Sequence, residues 1–123
     1  MNHPEQNLQI SVVGFIRQAY PSLLFFHPAN GGARNPVEGK IFKAMGVLAG
    51  ASDLIMVLPT GKFGAIELKA GKGQLSPSQE AFRDRCKAMD ACWAEARSLD
   101  EVAEILRGWL QPFGWIAKAR LAA

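Results

Sequence analysis

Cysteine is scarce in this chain. The two that occur, Cys86 and Cys92, have no second Cys or His pair at zinc-ligand spacing, and two are too few for a disulfide scaffold. They read as reduced thiols filling a small core in a reducing cytoplasm. No apolar run is long enough to cross a bilayer. The opening MNHPEQN also lacks the basic-then-apolar layout of a secretory signal, so a soluble, cytoplasmic protein with no membrane partner is expected. Internal repeats and low-complexity tracts are missing. Neither sign of charge dominates: 14 Lys and Arg against 11 Asp and Glu leave +3, which permits a nucleic-acid partner without demanding one.

What is present is enough apolar material for one core. Hydrophobic residues make up 49% of 123, which fits a single domain with a real interior. From Glu5 onward, Leu8, Val12, Phe15 and Ile16 fall on one helical stripe that ends at Tyr20-Pro21, because the residue before proline is pushed out of the α region. Leu23 to Phe26 read as a short buried strand, and HPANGGARN as a loop. Asn35-Pro36-Val37-Glu38 then opens a helix expected to turn Ile41, Phe42, Met45 and Leu48 inward.

Two short apolar runs follow, joined by Pro59-Thr60-Gly61. A second capping signal at Ser76-Pro77-Ser78-Gln79 starts a helix with Phe82, Cys86 and Met89 inside. ACWAEA reads as a fourth strand, and Ser98 with Glu101 as a third capping box opening the last helix, with Val102, Ile105, Leu106 and Trp109 inside. Trp93 and Trp109 read as core. The order α, β, α, β, β, α, β, α implies an α/β fold: a mixed four-stranded sheet with a central β-hairpin, flanked by helices. The domain is expected to run over 1–110 and a tail over 111–123. Trp115 in that tail suits packing on the body or sealing a dimer.

The hairpin loop carries the functional reading. Pro early and Gly last suit a type I turn followed by one left-handed residue. Pairing Leu58 with Lys62 then puts Asp53 opposite Glu67, with Lys69 on the same face. Two carboxylates held this close repel each other unless a proton, a cation or a metal lies between them. One acid suffices for a salt bridge to Lys69. The second points to a divalent ion, Mg²⁺ or Mn²⁺, with a backbone carbonyl and waters completing the shell. Such an ion suits phosphodiester hydrolysis, with Lys69 placing or deprotonating the attacking water or offsetting charge on phosphorus. The bland alternative is an Asp at a turn beside a solvated Glu-x-Lys strand face.

Gly46 to Leu54 (GVLAGASDL), Ile66 to Ala70 (IELKA), and Leu75, Ser76 and Gln79 together resemble the VRR-NUC domain, a branch of the PD-(D/E)xK nuclease superfamily. The likeness runs from about Glu5 to Trp109, and HPANGGARN resembles that branch's Asn-Gly-Gly loop. The resemblance implies a restriction-endonuclease-like core and metal-dependent cleavage of DNA. Small stand-alone members, often phage-borne, resemble resolvases that cut four-way (Holliday) junctions as homodimers.

Asp53, Glu67 and Lys69 take the catalytic positions, with Asp53, Glu67 and the Leu68 carbonyl as metal ligands. A first-helix glutamate commonly completes such sites; Glu5 matches best, although Glu38 also precedes the hairpin. Ser52 stands where the family usually has proline and is expected to loosen the strand slightly. Gln79 is implied to lie beside the active site.

Candidate DNA contacts are Asn30, Gly31 and Arg34 in the glycine-rich loop beside Gly32, Lys43 one turn after Lys40, Lys72 and Gln79. His27 reads as a packed or hydrogen-bonded histidine close to that loop. Three other functions compete: a restriction-like or nicking nuclease on unbranched duplex, a catalytically inactive DNA-binding module, and a structural or interaction protein whose acids merely bridge charges.

Overall fold

The computed structural model describes residues 3–29 and 35–118. The helices are α1 (Pro4–Ala19), α2 (Pro36–Ala44), α3 (Pro77–Ala88) and α4 (Leu99–Leu110). The strands are β1 (Leu24–Phe26), β2 (Leu54–Val57), β3 (Phe63–Leu68) and β4 (Cys92–Ala96). The sheet order is β1-β2-β3-β4, antiparallel except between β3 and β4, which run parallel. This is the mixed four-stranded sheet expected, with α3 as the crossover that parallel neighbours require.

Local chemistry sets the element ends. The Asn35 side chain accepts the Glu38 N–H at 2.9 Å at the start of α2. Ser76 and Gln79 form a reciprocal capping box on α3. At α4 the Ser98 hydroxyl accepts the Glu101 N–H, but the Glu101 carboxylate reaches one residue further back, to the Arg97 N–H at 2.8 Å.

The hairpin has the expected register, Leu54 opposite Ile66 and Val57 opposite Phe63, closed by Leu58 N–H to Lys62 O at 2.7 Å. The turn type differs. Thr60 has φ +70° and ψ 11°, Gly61 has φ +81°, and the Gly61 N–H donates to Leu58 O at 3.0 Å. Positive φ at the residue after proline marks a type II turn. A threonine in that left-handed region stores strain.

One sheet face carries Leu54, Met56, Ile66, Leu68 and Ala96, all buried against Val12 and Ile16 of α1 and Val102, Leu106 and Leu110 of α4. The tail continues this packing: Trp115 and Ala117 lie against the same core, and the Lys118 N–H donates to Ala19 O at 2.8 Å. On the opposite face α3 packs against β4.

Three burial expectations fail here. β1 is an edge strand whose Leu24 and Phe26 are exposed. α2 buries none of its residues, and Ile41 on it, with Met45 and Leu48 just past its end, is exposed. Met89 lies just past the end of α3 and is 83% exposed. In each case the apolar periodicity is real, but no element among the described residues covers it.

Candidate active site

The site forms at the end of the sheet where β2 begins and β3 finishes. Asp53 precedes β2, and its carboxylate accepts the Leu68 N–H at 2.7 Å. Glu67, on the last turn of the pleat before Leu68, is only 2% exposed. Its carboxyl group lies within hydrogen-bonding reach of Asp53, so the structure brings the two acids together on the face the register requires.

That proximity has an electrostatic consequence. Burial, then the hydrogen bond to Asp53 and the Asp53 charge, push the Glu67 carboxyl up to about 9, with Glu5 adding to the effect and Lys69 opposing it. At neutral pH Glu67 therefore holds a proton. Beyond that contact with Asp53, its Oε1 is buried with no hydrogen-bond partner, and its Oε2 receives only a long 3.5 Å contact from the Gln79 amide.

Lys69 is 8% exposed and, among the described residues, forms no ion pair, although its charge reaches Glu67. Glu5 lies on the rim: a Cβ added at Gly73 would stand 3.8 Å from both the Glu5 carboxylate and the Lys69 side chain. Glu38 sits in the first turn of α2.

The neighbouring chain holds Asp53 from several sides. The His27 ring Nδ1 donates to the Asp53 carbonyl at 2.7 Å, which makes His27 a hydrogen-bonded histidine, as its sequence position suggests. Ser52, expected to loosen the strand, is 1% exposed and accepts the Trp93 indole N–H at 3.1 Å, so it ties β2 to β4 instead. Trp93 is only partly buried, with the Lys87 ammonium 5.9 Å from its ring. Gly50, at φ +84°, touches the first turn of α3: an added Cβ would meet Ser78 O at 2.2 Å.

The candidate DNA contacts fall in different places. Asn30, Gly31 and Arg34 lie outside the described residues. Lys40 and Lys43 are exposed on α2, and Lys72 is exposed on the loop after β3, which Arg97 anchors through Gly71 O at 2.8 Å. Gln79 points inward: its Oε1 accepts the Ser76 N–H at 2.9 Å while its amide nitrogen faces Glu67. Its side chain thus joins the α3 cap to the acid pair.

The sequence pattern does not single out Gln6, Gln9 and Arg17, which with Glu5, His27 and Asp53 line a cleft of about 660 Å³ along α1. The available signal was the face of α1 opposite its apolar stripe.

Among the described residues no cluster of three or more His, Cys, Asp and Glu side chains forms a complete metal cage. The donor set is two adjoining carboxylates, with no partner at Glu67 Oε1 beyond the other acid. That chemistry fits a hard divalent cation that keeps much of its water, as Mg²⁺ does.

Residues 33–99 match the VRR-NUC domain, more than half of the chain. The chain belongs to the VRR-NUC family. One solved structure, described as a VRR_NUC domain protein, is similar at 23% identity over 90% of this chain and 91% of its own, with a TM-score of 0.70. A second, described as a VRR_NUC domain, is similar at 17% identity over 88% of this chain and 99% of its own, with a TM-score of 0.58. No curated protein matches the chain. VRR-NUC is a nuclease-type domain family, and DNA is the substrate class it suggests. No helix among the described residues of this VRR-NUC chain is long and apolar enough to cross a membrane.

Proposed function

We propose that this VRR-NUC protein is a metal-dependent DNA endonuclease that hydrolyses phosphodiester bonds, acts on branched DNA such as four-way junctions, and works as a homodimer. The observation that supports the chemistry is the buried Asp53–Glu67 pair beside Lys69, with no partner at Glu67 Oε1 beyond the other acid. A purely structural ion pair needs one acid, and burying a second, protonated one costs stability unless it serves a ligand.

In this reading Asp53, Glu67 and the Leu68 carbonyl hold Mg²⁺ or Mn²⁺, with Glu5 as a further carboxylate on the rim. The ion supplies charge neutralisation at the phosphodiester and a more acidic bound water. Asp53 stays oriented through the Leu68 N–H, and Glu67 releases its proton when it takes up its ligand role. The Lys69 ammonium, in no ion pair among the described residues, places the attacking water or offsets charge developing on the phosphoryl oxygens. Lys43, Lys72 and Gln79, with Asn30, Gly31 and Arg34, contact or orient the DNA.

The homodimer reading is supported by the apolar groups left uncovered. Leu24, Phe26, Val57 and Phe63 share the open part of one sheet face, and Val37 and Ile41 lie on α2 with Met45 just past its end. A two-fold dimer would set two sites on the two strands of a symmetric junction.

The test is incubation of the purified protein with labelled four-way junction, flap and plain duplex in Mg²⁺. Selective, metal-dependent nicking of branched DNA is expected. No nicking of any of the three defeats the enzyme reading, and preference for plain duplex defeats the junction reading.

A further inference from the structure

The ladder of the central hairpin begins at Leu54 opposite Ile66, one residue after Asp53. The direction in which Asp53 presents its carboxylate therefore depends on what holds the chain on each side of it. On the carbonyl side the His27 ring donates to Asp53 O at 2.7 Å, but His27 is exposed and water can take over that bond. On the amide side the hold is drier. The Ser52 hydroxyl, on a residue 1% exposed, accepts the Trp93 indole N–H at 3.1 Å. Water has little access to replace that donor, so its loss leaves a buried hydroxyl short of a partner. Consecutive Cα atoms lie about 3.8 Å apart, so a shift at Ser52 moves Asp53 with it.

This bond skips a strand. Trp93 belongs to β4, Ser52 leads into β2, and β3 lies between them in the sheet. The β3 residue opposite both Ile55 and Trp93 is Ala65, fully buried, and its single methyl leaves room on the face the three share. Two residues before Ser52, Gly50 rests against Ser78 at the start of α3, and the α3 residue Lys87 sets its ammonium 5.9 Å from the Trp93 ring centroid. The segment that delivers Asp53 to the sheet is thus gripped from α3 and from β4, on the far side of the strand that carries Glu67.

We infer that Trp93 is a positioning residue for the acid pair: its indole N–H, acting through Ser52, holds the Asp53 carboxylate at the Leu68 amide and beside Glu67. What this does for a bound cation rests on the nuclease reading above; what it does for the Leu68 amide does not.

The Leu68 N–H reads the position of Asp53 directly, because the carboxylate that accepts it at 2.7 Å is what protects it from exchange. The next amide, Lys69 N–H, donates to Ala96 O at 3.0 Å and is the internal reference, since general loosening of the fold would expose both. Hydrogen exchange at the two amides is followed by NMR on the metal-free full chain. Trp93→Phe keeps an aromatic ring and removes the donor. Ser52→Ala removes the acceptor without adding bulk, so a failure of one variant to fold leaves the other. Trp115→Phe, which removes an indole N–H from the tail, is the control.

Relative to Lys69, the Leu68 amide should exchange about fivefold faster or more in Trp93→Phe and in Ser52→Ala, no faster again in the double variant, and less than about twofold faster in Trp115→Phe. Manganese affinity, read by calorimetry, should fall about tenfold in the first two, the lower end for a group that orients a metal ligand. Leu68 exchange that keeps pace with Lys69 in both variants, or that quickens equally in Trp115→Phe, overturns the positioning role whether or not the protein binds metal or cuts DNA. Selective quickening at Leu68 with wild-type manganese affinity overturns it too, because the bond would then serve stability alone. Selective quickening in a chain whose wild type binds no manganese and cuts no DNA overturns the nuclease reading alone.

Discussion

Asp53 accepts the Leu68 amide at 2.7 Å across the mouth of the central hairpin, which leaves its carboxylate beside that of the preceding residue on β3, Glu67. One acid is thus oriented by the backbone of the strand that carries the other. Their spacing depends on strand register and on the residues that clamp the start of β2, and each dependence can be measured.

Asp53→Asn should leave the fold intact, because a carboxamide oxygen still accepts the Leu68 N–H. Cleavage in Mg²⁺ should drop by at least about 100-fold, the scale expected when one member of a preorganised electrostatic site is lost. Gel assays of cutting alongside a melting curve separate the two effects, and wild-type cutting by a folded Asp53→Asn protein would remove Asp53 from the site.

The Glu67 carboxyl, raised from 4.5 to about 9, makes metal-free stability depend on pH in a defined direction. Between those values the folded chain binds a proton that the unfolded chain has released, so stability falls as pH rises from about 4.5 towards 9. Glu67→Gln keeps a neutral side chain at every pH. It should flatten the profile and raise the melting temperature at pH 8 by about 5 °C or more, equivalent to 1–2 kcal/mol in a domain of this size. Parallel melting profiles for the two proteins would contradict the protonated state.

Manganese titrations follow from the same proton. If Glu67 enters the ligand set, binding near pH 7 should release up to about one proton and tighten as pH rises. Calorimetry in two buffers of different ionisation enthalpy reads this directly, and Glu67→Gln should abolish the buffer dependence.

Gly50 and Gly46 both have positive φ, +84° and +95°, but only Gly50 is closed in, its absent Cβ falling 2.2 Å from Ser78 O. Gly46→Ala should cost about 1 kcal/mol, from backbone strain alone. Gly50→Ala should cost several times that and displace the first turn of α3, which carries Gln79. Equal losses on denaturation would mean that the α3 turn moves freely.

Trp93→Phe removes the donor to a Ser52 hydroxyl that is nearly inaccessible to water. A double-mutant cycle with Ser52→Ala should give a coupling energy of about 1 kcal/mol in favour of the pair. A coupling near zero would show that the indole and the hydroxyl do not depend on each other.

Much of the site was legible because it is local. Pro59, Thr60 and Gly61 set the loop length, loop length sets the register, and register brings Asp53, Glu67 and Lys69 to one face without reference to any distant residue. The helix caps at Asn35, Ser76 and Ser98 were equally readable, since each is settled within four residues. The turn type was not, because proline followed by threonine suits a type I path as well as the left-handed Thr60 observed.

The sequence by itself determined the order of elements, the hairpin and the acid pair, all of which follow from periodicity, turn chemistry and capping within short windows. Tertiary packing decided the rest. The parallel seating of β4 on β3 places Trp93 against Ser52, and α3 brings Gln79 to Glu67. Among the described residues nothing covers α2 or the outer face of β1, and their apolar residues are exposed. Periodicity names the side of an element that wants burial, but only the positions of the other elements say whether that side is covered, and long-range contacts of that kind leave no signal in a single local stretch of sequence.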